Sequence, residues 1–190
     1  IDDTDASRNN PAFERVIVDS IVWLGLTVDE FYRQSERFDR YTSTAKILVK
    51  HGYAEKRDGA IMLDASKCPI REFHDTIAGN VKISDKDFDT ACHTVLVRSD
   101  GVPTYHFASV IDDIDMDINW VIRGIDHLSN TSRQILIHWA IQQVTITPTE
   151  FPRHTHVGLI TMDGKKMSKR DDAASLQKYI NENYDPNAML

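Results

Sequence analysis

The chain is predicted to adopt an α/β fold built on a parallel sheet, with a short β-rich segment set into it, and three observations carry that expectation. Amphipathic helical periods fill the stretch from Asn10 to Gly52. Between Tyr53 and Arg98 the helical period fades, and short apolar runs bounded by Asp58-Gly59 and Asp100-Gly101 replace it. After Gly101 the chain reads strand, helix, strand, the spacing of a crossover unit that places two parallel strands side by side.

Each element has a local reason. Asn10 followed by Pro11 is a favourable helix start, and Phe13, Val16, Ile17, Ile21 and Leu24 fall on one face before Gly25 ends the run. A second helix is expected from Ser35 to His51, with Phe38, Tyr41, Ala45, Leu48 and Val49 inward and Gly52 as its stop. Ile61 to Leu63, Val81 to Ile83 and Thr94 to Val97 read as short strands. Asn119 to Ile122 is apolar and β-branched, as a buried parallel strand should be. Thr131 with Gln134 three residues on reads as a capping box, and Ile135, Leu136, Trp139 and Ala140 give the following helix its apolar face. Val157 to Thr161 is expected as the next buried strand. In such sheets ligands sit beyond the carboxyl ends of the strands, which puts Arg123 and the loop after Ile160 on one edge.

Composition narrows the function classes. With 190 residues and 41% hydrophobic content, the chain suits one globular domain, or one domain with an insertion. A formal charge of -7 argues against a protein that coats nucleic acid, so any RNA contact is expected to be local. Cys68 and Cys92 are far apart and outside any CxxC pair, which points to a reducing compartment and away from a cysteine metal site. No window approaches the roughly 18 to 20 apolar residues of a membrane span. The acidic start Ile1-Asp2-Asp3-Thr4-Asp5 does not read as a targeting peptide.

The dense basic patch is Lys165-Lys166-Met167-Ser168-Lys169-Arg170, preceded by the turn pair Asp163-Gly164. Such a run is either a solvated basic turn or a positive loop that closes over polyphosphate. Two other constellations are weaker. Asp113, Asp115 and Asp117 alternate as in a calcium loop, but Ile118 stands where Gly is needed and Gly124 where Glu is needed. His154 and His156 share a strand face without a third ligand at fixed spacing, so they read as ordinary strand histidines.

Several segments, in order, resemble the catalytic domain of the glutamyl-tRNA synthetases, a class I aminoacyl-tRNA synthetase family, over nearly the whole chain. They are the acidic motif Ile1 to Asp5, the loop Tyr32-Arg33-Gln34-Ser35-Glu36-Arg37, the return segment Arg98-Ser99-Asp100-Gly101-Val102-Pro103-Thr104-Tyr105-His106-Phe107, the segment Val121 to Thr131, and the KMSKR signature at 166–170. The resemblance implies a Rossmann-like nucleotide-binding sheet carried by 1–52 and 99–170, a short acceptor-binding insertion at 53–98, and the start of a helical stem-contact region at 171–190. The family's HxGH turn occurs nowhere in the sequence. The expectation is therefore an internal piece of a longer synthetase, without the N-terminal part of the sheet and without an anticodon-binding domain.

The implied chemistry joins the carboxylate of glutamate to the α-phosphorus of ATP, expels pyrophosphate, and transfers the aminoacyl group to the terminal ribose of tRNA(Glu). Catalysis of this kind rests on alignment and on cations that meet developing phosphate charge, with no enzyme nucleophile. By resemblance Lys166 and Lys169 are the catalytic cations. Asp126, Leu159, Ile160, Lys166, Met167, Ser168, Lys169 and Arg170 bind ATP, and Asp2, Tyr105 and Arg123 bind glutamate. Magnesium enters with ATP as a substrate complex, with no protein-held metal; the full-length protein is expected to be a cytoplasmic monomer, an organellar location remaining open.

Four positions depart from the family pattern: Asp2 stands for Glu, Ile125 for an acidic residue, Ser132 for proline, and Ala78 for an arginine within the insertion. Alternative readings stay open at this level. They are a glutaminyl-tRNA synthetase, an enzyme that glutamylates the queuosine of a tRNA, and a non-catalytic relative that binds tRNA or protein.

Overall fold

The computed structural model describes residues 1–4, 10–146, 149–162, 165–166 and 176–188; Met167, Ser168, Lys169 and Arg170 of the basic loop lie outside them. The chain divides into two compact units, Arg37–Gly158 and a second formed by Ile1–Glu36 with Leu159–Leu190. Among the described residues no helix is long and apolar enough to cross a membrane.

In the larger unit, α2 (Phe38–Lys50) follows a tight 3₁₀ turn at Gln34–Arg37 and buries Tyr41, Ala45 and Leu48. An antiparallel sheet comes next, in the order β1 (Ala54–Arg57), β2 (Ala60–Leu63), β5 (Val95–Val97). Its first hairpin closes on Asp58 and Gly59, both with positive φ (49° and 81°), the backbone that a two-residue Asp-Gly turn supplies. A second sheet has the order β4-β3-β7-β6, where β3 is Glu72–Asp75, β4 Gly79–Lys82, β6 Trp120–Gly124 and β7 Arg153–Val157. β6 and β7 run parallel, Trp120 opposite Arg153 through Gly124 opposite Val157, and β3 joins β7 in parallel at Asp75 and His154.

Three helices cover these sheets: α3 (Asp85–Cys92), α4 (Tyr105–Asp115) and α5 (Leu128–Gln142). Phe107, Ala108, Val110 and Ile111 from α4 meet Ile135, Leu136, Ile137, Ala140 and Ile141 from α5 in one core with Leu63 and Leu96. Beneath it, Arg37 bonds Asp112 (2.9 Å) and Asp115 (2.7 Å), Arg40 bonds Asp115 through both Nε and Nη2, and the Tyr41 hydroxyl donates to Asp112 at 2.8 Å. Burial, followed by the bond to Asp112, pushes the Tyr41 phenol well above its ordinary range. The alternating aspartates read against calcium thus divide: Asp115 is locked to two arginines.

The smaller unit holds α1 (Pro11–Trp23), a hairpin of β8 (Thr161–Met162) with β9 (Lys165–Lys166), and α6 (Leu176–Asn181). Asn10 caps α1 by accepting from the Ala12 N–H at 2.9 Å. Its apolar face stays open, with Phe13 62%, Val16 45% and Ile17 46% exposed.

Four expectations need correction. Thr131 is no cap, because α5 already begins at Leu128; Thr131 sits inside the helix, fully buried, and its hydroxyl meets Arg123 instead. The strand expected at Val157 to Thr161 lies earlier, at Arg153–Val157. Its buried residues are His154, Thr155 and His156; hydrogen bonds hold the side chains of Thr155 and His156, and the His154 ring packs against Phe73, whereas Ile160 is 78% exposed. The strand around Asn119 to Ile122 is parallel as expected, but among the described residues it pairs with β7 alone and Ile122 is 61% exposed. Within 53–98, α3 escaped the β-rich reading because DKDFDTAC carries few apolar residues. Ser84 starts it by accepting from the Asp87 N–H at 3.1 Å.

Candidate active site

Arg123 is the next-to-last residue of β6, at the carboxyl edge of the parallel pair. Its Nε donates to His156 Nε2 (3.1 Å) and its Nη2 donates to Thr131 Oγ1 (2.6 Å). His156 Nε2 is also 3.1 Å from Thr131 Oγ1, and on the other side of the ring Nδ1 is 2.7 Å from Asp75 Oδ2. Asp75, Thr131 and His156 are almost wholly buried. Asp75 is held from the far side as well, its Oδ1 accepting from the N–H groups of Ile77 (3.0 Å) and Ala78 (2.8 Å). Burial alone would raise the Asp75 carboxyl; the bonds from Ala78, His156 and Ile77 outweigh it and hold the pKa at about 2.

Burial lowers the Arg123 pKa, opposed by Tyr105 and by Asp113. Arginine remains protonated under such a shift. No ion pair among the described residues engages it, so the salt bridge to a nearby aspartate, the alternative use of such an arginine, is not made. Asp113, raised to about 6 by burial and by repulsion from Asp112, is the acid electrostatically linked to it. Tyr105 opens α4, 36% exposed, with its ring 5.3 Å from that of His106. Burial and then the neighbouring cations Arg133 and Arg123 lower the His106 pKa, which favours a neutral ring whose Nδ1 has no hydrogen-bond partner.

The remaining candidates fall as follows. Asp126 lies in the 3₁₀ turn Ile125–His127 directly after β6, with His127 Nε2 at 3.9 Å. In the smaller unit Asp2 is exposed and accepts from Thr4 Oγ1 at 3.2 Å. The adjacent Asp3 is the anchored member of the acidic motif, taking the Ser35 N–H at 2.8 Å and the Ser35 hydroxyl at 2.5 Å. Leu159 and Ile160 follow the end of β7 with 37% and 78% exposure, and Lys166 ends β9. Arg123 and Tyr105 are thus brought together within the larger unit.

Sequence reasoning missed Asp75, His156 and the true role of Thr131. A signal existed in the His154-Thr155-His156 alternation, whose two imidazoles stack 6.3 Å apart on one strand face. Among the described residues one group of metal-capable side chains converges, Asp89, Cys92 and His93. They share the last turn of α3, where the Cys92 thiol donates to the Asp89 carbonyl at 3.2 Å, and burial, then Asp89 and Asp64, keep it protonated.

An α/β unit with a desolvated arginine at the carboxyl edge of its parallel strands, in a sequence that also carries an acidic motif and a KMSKR signature, defines the class. The chain belongs to the tRNA synthetases class I (E and Q), catalytic domain family, whose model matches residues 1–59 and 62–190. Similar curated proteins include glutamate–tRNA ligases. The chain is 40% identical over 197 residues to glutamate–tRNA ligase 1 of Rubrobacter xylanophilus, covering 100% of this chain and 43% of that protein. It is 37% identical over 233 residues to the glutamate–tRNA ligase of Hydrogenobaculum sp., covering 100% and 48%. The crystal structure of a glutamate tRNA ligase from Elizabethkingia meningosepticum in complex with its amino acid superposes with a TM-score of 0.79 at 25% identity, covering 100% of this chain and 51% of that one. The chain spans less than half the length of the two curated relatives.

Proposed function

We propose that this chain is a portion of the catalytic domain of a glutamate–tRNA ligase. A carboxylate oxygen of L-glutamate attacks the α-phosphorus of ATP, the bond to the β-phosphate oxygen breaks, and magnesium-bound pyrophosphate departs. The terminal ribose hydroxyl of tRNA(Glu) then attacks the adenylate's carbonyl carbon and AMP leaves. The observation that carries this reading is Arg123, a desolvated guanidinium fixed at a strand end with no carboxylate among the described residues paired to it. A planar fork in that state suits a substrate carboxylate. Tyr105 and Asp2 complete the glutamate contacts. Asp126 meets the ATP ribose, with Leu159 and Ile160 beside the base. Lys166 and Lys169 stabilise phosphate charge, with Met167, Ser168 and Arg170 in the same loop.

In the same proposal 1–52 and 99–170 form the nucleotide-binding portion, 53–98 reaches the tRNA acceptor end, and 171–190 begins the stem-contact region. Pyrophosphate exchange into ATP tests the reading, with glutamate or glutamine, with and without tRNA, in the full-length protein. Glutamate-dependent exchange that falls by about 10²–10³ in Lys169→Ala, with glutamate binding little changed, is the expected result. Exchange driven by glutamine instead, or undiminished exchange in Lys169→Ala, overturns it.

A further inference from the structure

We infer that Asp75 and His156 are positioning residues for amino-acid recognition, acting through Thr131 and Arg123 to fix which edge of the guanidinium the substrate meets. The inference rests on the reading of Arg123 as a substrate contact and adds residues that lie 81 positions apart in the chain.

The argument is one of donors and acceptors. An arginine Nε can only donate, so His156 Nε2, 3.1 Å away, must accept. A neutral imidazole that accepts at Nε2 carries its proton at Nδ1, and that proton faces Asp75 Oδ2 at 2.7 Å. Asp75 cannot turn away, because its other oxygen is held by the backbone of Ile77 and Ala78. A buried carboxylate therefore selects one tautomer of His156, and that tautomer selects one rotation of Arg123. Thr131 completes the arrangement by accepting from Nη2 at 2.6 Å, its oxygen lying 3.1 Å from His156 Nε2.

The consequence is geometric. Among the described residues the hydrogen bonds to Arg123 take its Nε–Nη2 edge, and the Nη1–Nη2 edge, with Tyr105 nearby, is the one offered to a carboxylate in bidentate fashion. A free arginine presents either edge; this one is committed before substrate arrives, so less ordering is lost on binding. The arrangement parallels the outer partners that orient metal-ligating histidines, here with a guanidinium in place of the metal.

Asp75→Asn is the sharpest test. If the amide oxygen keeps the Ile77 and Ala78 bonds, its NH₂ group faces His156 Nδ1, drives the ring to the Nε2–H tautomer, and sets a donor against the Arg123 Nε–H. Nitrogen-15 NMR of the full-length protein should show a neutral, Nδ1-protonated His156 in the wild type and a different state in Asp75→Asn. In steady-state exchange the KM for glutamate should rise on the order of tenfold to a hundredfold, the scale seen when an outer partner of a ligand-holding group is removed. The KM for ATP should stay within about twofold, and Asp75→Asn should add nothing in an Arg123→Ala background.

Should Asp75→Asn fold poorly, Thr131→Val removes one hydroxyl at constant shape. It should raise the glutamate KM, and Thr131→Ser should recover that loss. An Nε2-protonated or doubly protonated His156 in the wild type overturns the inference. So does an Asp75→Asn effect that adds in full to that of Arg123→Ala, or one that changes kcat and both KM values alike. An unchanged glutamate KM in Arg123→Ala is a different failure, since it removes the substrate reading itself.

Discussion

Helices α1 and α2 have the same length and the same kind of apolar stripe, yet the first stays open while the centre of the second is covered. In α2, Tyr41, Ala45 and Leu48 are fully buried, and in α1 Phe13, Val16 and Ile17 remain at least 45% exposed. Every buried hydrophobic side chain among the described residues lies between Tyr41 and Ile141, inside the larger unit. Periodicity therefore predicts that a helix forms, and leaves open what it packs against.

Four measurements test that contrast, beginning with the strongest. Leu136→Ala empties a fully buried site in α5 and should cost about 2–5 kcal/mol in denaturant unfolding. A loss below 1 kcal/mol would remove the claim that α4 and α5 form the central core. Acid comes second. Burial lowers His138 and His154 to about 4 from an ordinary 6.5, so the unfolded chain binds protons first and stability is complete above pH 6.5 and declines towards pH 4. Asp113 acts with the opposite sign, its carboxyl raised to about 6, and regains some stability as the pH falls through that value. The net loss from pH 7 to pH 5 should be roughly 2–3 kcal/mol, and a flat profile would contradict the burial of the two histidines.

Third is Arg37→Ala, which strips a partly buried cation from Asp112 and Asp115 and should cost about 1–2 kcal/mol. Last, Phe13→Ser on the open face of α1 should stay within about 0.5 kcal/mol; a larger cost would show that the exposed stripe is covered in solution.

The corrected elements show which kinds of information are local. The Asp58-Gly59 hairpin and the Asn10-Pro11 helix start were legible because turn and cap chemistry is decided within four residues. The burial of β7 was not, because His154, Thr155 and His156 look polar until partners arrive from elsewhere in the chain: Phe73 packs on His154, Thr76 and Trp120 bond Thr155, and Asp75 and Thr131 meet His156. Thr131 failed for a related reason: a capping-box spacing is the same string of letters inside a helix as at its start.

The sequence by itself determined the helical periods, the turns, the parallel strand pair around α5 and, through ordered motifs, the family and the candidate contacts Arg123, Tyr105 and Asp126. Tertiary structure alone decided that Thr131 is buried inside α5, that Asp115 is locked to Arg37 and Arg40, and that Asp75 reaches Arg123 through His156. The division follows from distance along the chain. Dihedral preferences and capping act between near neighbours, whereas a buried polar group is stable only when a partner, here up to 81 residues away, satisfies it.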